Sequence, residues 1–187
     1  MQKYNISFYN ANNNTPTTKI TVGKDVQLLQ VLDDIKSKKY KDNILKLRSL
    51  YTNNKSEYDK QKIFLDAFTP SGTFSKRNSN SLTKHTGLIC IDIDNIKDIE
   101  DIKNAVSLDK FTLAVFVSPS GAGLKIIVKI NENEHLNSFL ALKDFYEHSL
   151  GVVVDEQCKD VSRLCFVSYD TEIFINEDAT IDRKSVV

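Results

Sequence analysis

The chain has 187 residues, and its 25 Lys and Arg residues balance its 25 Asp and Glu residues. This length suits one good core with a small extra lobe, and the zero net charge excludes a globally basic nucleic-acid binder while leaving room for a local basic groove. The longest apolar runs are strand-sized and the first residues lack a signal-peptide hydrophobic region, so we expect no membrane span and a cytoplasmic location. Cys90, Cys158 and Cys165 lack zinc or redox spacing, which indicates buried thiols in a reducing compartment.

The first part of the chain predicts a small lobe of strands and helices. Residues 3–9 alternate between polar and apolar side chains as in a strand, and a second strand at residues 18–22 would complete a hairpin across an Asn-rich turn. Apolar residues at helical spacing then predict three helices, over residues 25–39, 43–51 and 57–65. We therefore expect residues 1–86 to form an N-terminal α/β lobe that packs on the sheet formed by the rest of the chain.

The segment from Thr69 to Thr86 separates this lobe from the remainder. Pro70 and Gly72 break any helix at its start, and the residues that follow are polar and basic. Two interpretations stay open for this segment. It is either a plain surface loop or a loop beside a functional site where it meets phosphate groups.

From Gly87 onward the pattern predicts the element order β-α-β-β-α-β. The strands are expected at residues 88–93, 113–117, 124–130, 152–154 and 164–168, with the last two bracketing a charged turn, and the helices at residues 96–106 and 134–150. This order is the ferredoxin-like split unit that RNA-recognition (RRM) folds share, so we predict a single α+β domain with an RRM-like core at residues 87–172 and a tail at residues 173–187. The first and third strands are expected to lie adjacent and parallel, with both helices on one face.

Two aspartates stand at the end of the first strand of this unit. Asp92 and Asp94 follow an apolar run, and because strand side chains alternate, they share one face while Ile89, Ile91 and Ile93 share the other. Neighbouring carboxylates repel each other unless a cation lies between them, and carboxylate oxygens suit Mg²⁺ or Mn²⁺. The alternative is an Asp pair that closes the strand and caps the next helix.

The third strand and the turn before it supply candidate phosphate contacts. Alternation places Lys125 on the same face as the aspartates, where it would hold a triphosphate or act as a charge partner of Asp92 or Asp94. The turn has neither the spacing nor the following helix of a Walker loop. It nevertheless offers four candidates for nucleotide binding, two hydroxyl donors and two positions where a phosphate can approach the backbone closely, namely Ser118, Ser120, Gly121 and Gly123.

The charged turn near the end of the predicted core adds a third carboxylate and an arginine. Asp155 ends one short strand and Arg163 begins the next. A third carboxylate with an arginine is what a two-metal phosphoryl-transfer site requires. Asp160 competes with Asp155 for this role, and either residue is equally compatible with an ordinary turn aspartate.

Taken in order, these motifs resemble the archaeo-eukaryotic primase superfamily, and they are most similar to the VirE N-terminal domains of bacterial mobile elements. The resemblance spans residues 55–172 and is carried by five stretches, Thr69–Phe74, Ile91–Asp94, Ser118–Lys125, Val154–Asp155 with Ser162–Leu164, and Phe166–Asp170. It implies a primase-polymerase core in which Asp92, Asp94 and Asp155 bind metal and Arg163 contacts nucleotide phosphate. Family members usually have a histidine where this chain has Lys125, and they often precede a helicase domain.

The expected function is therefore a metal-dependent nucleotidyltransferase of the DNA primase or polymerase kind, acting in replication of a mobile element. It would use Mg²⁺ or Mn²⁺, nucleoside triphosphates and a single-stranded or primed DNA template, with a helicase as a further partner. A non-catalytic replication-initiation module that binds nucleotide or nucleic acid is the first alternative, and a metal-dependent nuclease is the second.

Overall fold

The structure is a computed structural model, which describes residues 3–12 and 14–181, so the final residues of the predicted tail lie outside the described part. Within these described residues, ten strands and five α-helices form a mixed α+β fold. The strands are β1 (Asn5–Tyr9), β2 (Lys24–Gln27), β3 (Ala67–Thr69), β4 (Gly72–Phe74), β5 (Leu82–His85), β6 (Leu88–Ile93), β7 (Thr112–Val117), β8 (Leu124–Lys129), β9 (Cys165–Phe166) and β10 (Phe174–Ile175). The helices are α1 (Leu28–Lys36), α2 (Lys41–Asn53), α3 (Lys55–Lys62), α4 (Ile99–Ser107) and α5 (His135–Leu150).

The first sheet has the strand order β2-β1-β3-β9, and every pairing in it is antiparallel. The predicted strand at residues 18–22 is wrong, because Thr17–Lys19 form a short 3-10 helix and the partner of β1 is β2. The connection is thus longer than a tight hairpin, and α1 begins at Leu28 rather than at residue 25. The basic segment after Thr69 contains β4 and β5, which pair as a separate two-stranded sheet with antiparallel strands.

The second sheet has the order β10-β7-β8-β6 and carries the predicted aspartate strand at its edge. The prediction that the first and third strands lie adjacent and parallel is half wrong, since β6 and β8 are neighbours but antiparallel. The reason is local connectivity. A tight turn joins β7 to β8 and forces those two strands to be antiparallel, and the crossover through α4 makes β7 run in the direction of β6.

The last two predicted strands do not form as a continuation of this sheet. The strand predicted at residues 152–154 does not form, and Val154 makes only an isolated bridge with Ile93. The strand predicted at residues 164–168 is reduced to β9, which pairs with β3 in the first sheet. The edge place beside β7 belongs instead to β10. The chain after Asp155 therefore connects the two sheets.

Two apolar clusters lie on opposite faces of the second sheet. Ile89, Ile91 and Ile93 pack with residues of α4 and α5, which confirms the face predicted from alternation. On the other face, Leu88, Cys90 and Phe116 join a cluster that includes residues of β1, α1 and α2. This second face is thus covered by N-terminal residues. None of the described helices is long and apolar enough to span a membrane.

Candidate functional site

A buried ion pair joins β6 to β8. Asp92 and Lys125 are directly opposite each other in the register of the two strands, and only 6% and 4% of their surfaces are exposed. The ammonium group of Lys125 donates to Oδ2 of Asp92. Burial alone would lower the pKa of Lys125, but the attraction of Asp92 raises it above its ordinary value, so the lysine stays charged. The structure therefore shows the charge-partner role that the sequence left open for Lys125.

One oxygen of this pair is left over. Asp92 Oδ1 is buried and has no hydrogen-bond partner within the described residues. A buried carboxylate oxygen without a partner is costly, and in folded proteins such an atom is normally satisfied by ordered water, an ion or a ligand. The unpartnered oxygen marks the Asp92 end of the pair as a place where something else can bind.

The pair forms the floor of a cleft whose other charged walls are mainly basic. The cleft has a volume of about 280 Å³. Its lining residues come from six separate parts of the chain and are Thr18, Lys62, Arg77, Asp92, Lys125, Asp160, Ser162, Arg163, Leu164 and Phe166. Burial, followed by repulsion from Lys125, lowers the pKa of Lys62. Four cations against two carboxylates make the cleft attractive to an anion.

Asp94 lies beside this pair at the end of β6. Although the residue is exposed by surface area, burial of its carboxyl group and then repulsion from Asp92 raise its pKa. Repulsion from Asp155 also contributes, more weakly, to the raised pKa of Asp94. A cation placed near Asp92 and Asp94 would relieve this repulsion.

The two candidates for a third carboxylate have different surroundings. Asp155 donates its backbone N–H to the carbonyl of Asp92 at 2.9 Å, while its side chain binds Arg163 at 2.7 Å and caps a short 3-10 helix. Asp160 lines the cleft and accepts hydrogen bonds from the backbone and hydroxyl of Ser162, each at 2.9 Å. Asp155 is thus tied to the strand of the ion pair, and Asp160 to the cleft wall.

No ready-made metal centre is present among residues 3–12 and 14–181, where no three His, Cys, Asp or Glu side chains are grouped to hold a metal ion. The donors that remain near the floor are Asp92 Oδ1 and the carboxylate of Asp94. Such a donor set fits Mg²⁺ or Mn²⁺ only when the ligand supplies further oxygens, and this is the usual way in which Mg²⁺ is held beside substrate phosphates.

The Ser-Gly turn between β7 and β8, residues 118–123, packs against Ile93 and Asp94 and does not line the cleft. Ser118 and Ser120 are buried, and their hydroxyl groups bond each other at 2.8 Å. A Cβ atom on Gly123 would lie 2.3 Å from the carbonyl oxygen of Ile93, so only glycine permits this approach. Gly121 has a positive φ and faces the side chain of Arg48. None of these four turn residues lines the cleft as described, and their nucleotide contacts stay a prediction.

Two features of the site were missed by reasoning from sequence. Lys62 and Arg77 line the cleft, but neither belongs to a motif, and both are brought to β6 by long-range pairing of the first sheet. The basic character of the segment after Thr69 was the one signal that pointed to Arg77. The structure places Arg77 of that segment in the cleft wall. Contact of the segment with phosphate groups stays a prediction.

The three cysteine thiols gather behind the ion pair. Cys90 Sγ lies 3.8 Å from Cys165 Sγ, and both residues are buried. Together with Cys158 they line a small void of about 10 Å³ next to Asp92 and Lys125. The contact with Cys165 and burial raise the pKa of Cys90, so its thiol stays protonated, as the sequence suggested for a buried cysteine.

A second buried Lys–Asp pair lies elsewhere in the same sheet region. Lys103 of α4 donates to Asp170 at 2.8 Å, with side-chain exposures of 6% and 7%. Asp170 also accepts hydrogen bonds from the backbone N–H groups of Val117 and Glu172, each at 2.9 Å. Both of its oxygens are therefore satisfied by the protein itself.

Fold and site together define a mixed α+β protein with an anion-attracting cleft built over a buried Lys–Asp pair. The family model described as BT4734-like, N-terminal domain, matches residues 59–174, which is more than half of the chain. The chain belongs to this family. Comparison with curated proteins and with solved structures gives no match.

Proposed function

We propose that this chain is a nucleotidyltransferase domain of the primase-polymerase type, which binds the triphosphate of a nucleotide in the cleft over Asp92 and Lys125. The observation that carries the proposal is the unpartnered Asp92 oxygen at the floor of a cleft lined by four cations. The order of the sequence motifs, which resembles that of primase-polymerases with an RRM-like core, supports the same conclusion.

The cleft suits a triphosphate better than a whole nucleotide. Its volume of about 280 Å³ lies at the lower end of the range for small-molecule sites. Lys62, Arg77 and Arg163 on its walls would each contact phosphate oxygens, and arginine in particular binds them in a bidentate manner. Lys125 would add its charge from below. The sugar and base would then lie toward the open side of the cleft.

Asp92 and Asp94 would hold a divalent cation, Mg²⁺ or Mn²⁺, together with phosphate oxygens of the nucleotide. The bound cation would supply charge neutralisation for the triphosphate. Asp155 would keep the end of β6 in place through its backbone hydrogen bond to Asp92, and it would orient Arg163 toward the cleft. In the reaction, a strand's terminal hydroxyl group would lose its proton to solvent as its oxygen bonds to the α-phosphorus, and the bond to the departing pyrophosphate would break.

The second candidate is a replication-initiation module that binds nucleotide or nucleic acid without turnover. One observation favours it. Lys125 already neutralises Asp92, so the pair needs no metal to be stable, and an anion can bind to the remaining cations alone. A nuclease using the same carboxylates is a third outcome that the same assay detects. A helicase partner stays a prediction.

The test combines nucleotide binding with primer extension. Titration calorimetry with a nucleoside triphosphate, with and without Mn²⁺, measures binding, and extension of a primer on single-stranded DNA measures turnover. We expect binding that Mn²⁺ strengthens, and incorporation that Asp92→Asn abolishes. Asp101→Asn, an exposed carboxylate change on α4, is the matched control and should behave as the native chain.

Three results would redirect the proposal. Binding without incorporation, across ribo- and deoxyribonucleotides and with both metals, would establish the binding module. Shortening of the DNA that depends on Asp92 would establish the nuclease. Absence of any nucleotide binding would overturn the cleft as a triphosphate site.

A further inference from the structure

Two segments of this balanced chain carry no acidic residue. Residues 1–24 and residues 67–91 contain neither Asp nor Glu. The fold brings them together, since β1 pairs with β3 and the backbone N–H of Arg77 donates to the carbonyl of Thr21 at 2.7 Å. The two segments are far apart in the sequence, so the local excess of positive charge is evident only in the folded chain.

Five of the six Lys and Arg residues of these segments form a surface that we name the basic rim, and its members are Lys19, Lys24, Lys76, Arg77 and Lys84. The four lysines are exposed, and no ion pair involves any of the five within the described residues. Asp25, next to Lys24, is the nearest carboxylate in sequence, and it interacts with Ser7 rather than with a rim lysine. The positive charge of the rim is therefore not neutralised by the protein.

The basic rim begins at the mouth of the cleft. Arg77 donates to the carbonyl of Thr18 at 2.6 Å, and both residues line the cleft. The aromatic rings under the rim, Phe8 beneath Lys24 and Tyr9 beneath Arg77, are buried. The rim can thus offer charge and hydrogen-bond donors to phosphate groups, but no exposed ring on which a base could stack.

We infer that the basic rim binds the phosphodiester backbone of single-stranded nucleic acid, independently of sequence, and leads the strand to the cleft. A flexible single strand can bend from the rim into a narrow cleft, whereas a duplex is too stiff and wide to do so. The inference that the strand is led to the cleft rests on the proposed function of the cleft. The inference that the strand binds to the basic rim is independent of that function.

The experiment measures the salt dependence of binding to a fluorescein-labelled oligothymidylate by fluorescence anisotropy. The tested variant carries Lys19→Gln, Lys24→Gln, Lys76→Gln and Lys84→Gln, all on exposed side chains, so folding should survive. Each lost phosphate contact lowers the slope of log affinity against log salt by about 0.7 for a single strand. We expect a slope smaller by up to roughly 3 and an affinity at least about tenfold lower at low salt.

A matched control removes the same charge elsewhere. Lys36→Gln, Lys38→Gln, Lys46→Gln and Lys110→Gln also change four exposed lysines without an ion pair, and they should leave the slope nearly unchanged. Equal effects of the two quadruple variants would overturn the inference, because the binding would then follow net charge alone. Failure of the native chain to bind the oligonucleotide at low salt would overturn it as well.

Further arms separate the rim from other partners and from the cleft. Equal competition by duplex DNA, or rim-dependent binding to phosphatidylserine vesicles in place of the oligonucleotide, would overturn the assignment to a single strand. The rim variant should retain nucleoside triphosphate binding. If nucleotide binds to neither protein while oligonucleotide binding still depends on the rim, the rim stands and the proposed function of the cleft fails.

Discussion

The two buried Lys–Asp pairs have the same composition but different surroundings. Asp170 satisfies both of its oxygens with Lys103 and two backbone N–H groups. Asp92 accepts a hydrogen bond from Lys125 through one oxygen, and its other oxygen is buried beside the cleft with no partner in the described part of the chain. The first is a closed pair that holds α4 against the sheet, and the second is an open pair with binding capacity left over. The two pairs therefore differ in unused hydrogen-bonding capacity rather than in burial or charge.

The largest expected effect comes from breaking the closed pair. Asp170→Asn should lower the free energy of unfolding by about 3–5 kcal/mol, because Lys103 loses its counter-charge and the new amide NH₂ group faces a backbone N–H. Asp92→Asn should cost at least about 1 kcal/mol less, since Lys125 keeps an oxygen acceptor and no backbone donor is lost. Urea unfolding of both variants measures the difference. Equal losses would show that the two pairs are equivalent.

The open pair should matter for catalysis. Lys125→Ala should reduce the catalytic efficiency of primer extension by about 2–4 kcal/mol in transition-state free energy, the size expected for loss of a preorganised electrostatic donor. Lys129→Ala, a change on the same strand outside the cleft lining, serves as the control. Lys125→His, which restores the residue type implied by the primase resemblance, should retain more activity than Lys125→Ala. The reverse order would argue that Lys125 is only the partner of Asp92.

The smallest expected effect concerns the repulsion between Asp94 and the carboxylate of the open pair. Because the pKa of Asp94 is raised in the folded chain, its charged form opposes folding, and that penalty grows as the pH rises through the raised pKa. Asp94→Asn should therefore stabilise the chain at neutral pH, by on the order of 0.5 kcal/mol for so exposed a group. The gain should disappear in acid, where Asp94 is protonated. Urea midpoints across pH check this, and a loss of stability at neutral pH would contradict it.

Alternation along the strands was sufficient to predict part of the site from sequence. It placed Asp92 and Lys125 on one face and the isoleucines on the other, because each strand is long and its apolar period is clear. It failed for the short segments after Val152. A strand of two or three residues has too little pattern to specify its partner, and β9 joined the other sheet through pairing that only the folded chain reveals.

Two cations of the cleft wall lay beyond prediction for a related reason. Lys62 ends a short polar helix and Arg77 lies in a loop, so neither position carries a periodic signal. Their approach to Asp92 depends on how β1, β3 and β9 assemble across large separations in sequence. The residues of the floor and Arg163 were visible in the sequence, whereas Lys62 and Arg77 were visible as wall residues only once the sheets were joined.

The position of β1 has a consequence for how the boundaries of this protein are drawn. The family match begins at residue 59, yet β1 stands between β2 and β3 in the first sheet, and its Ile6 and Phe8 pack in the same cluster as Phe68 and Phe116. A fragment cut at the limits of the match would lose β1, α1 and α2 and leave that apolar face bare to solvent. The stretch matched by the family is thus shorter than the stretch that buries this apolar cluster, and we expect a fragment with the limits of the match to be prone to aggregation.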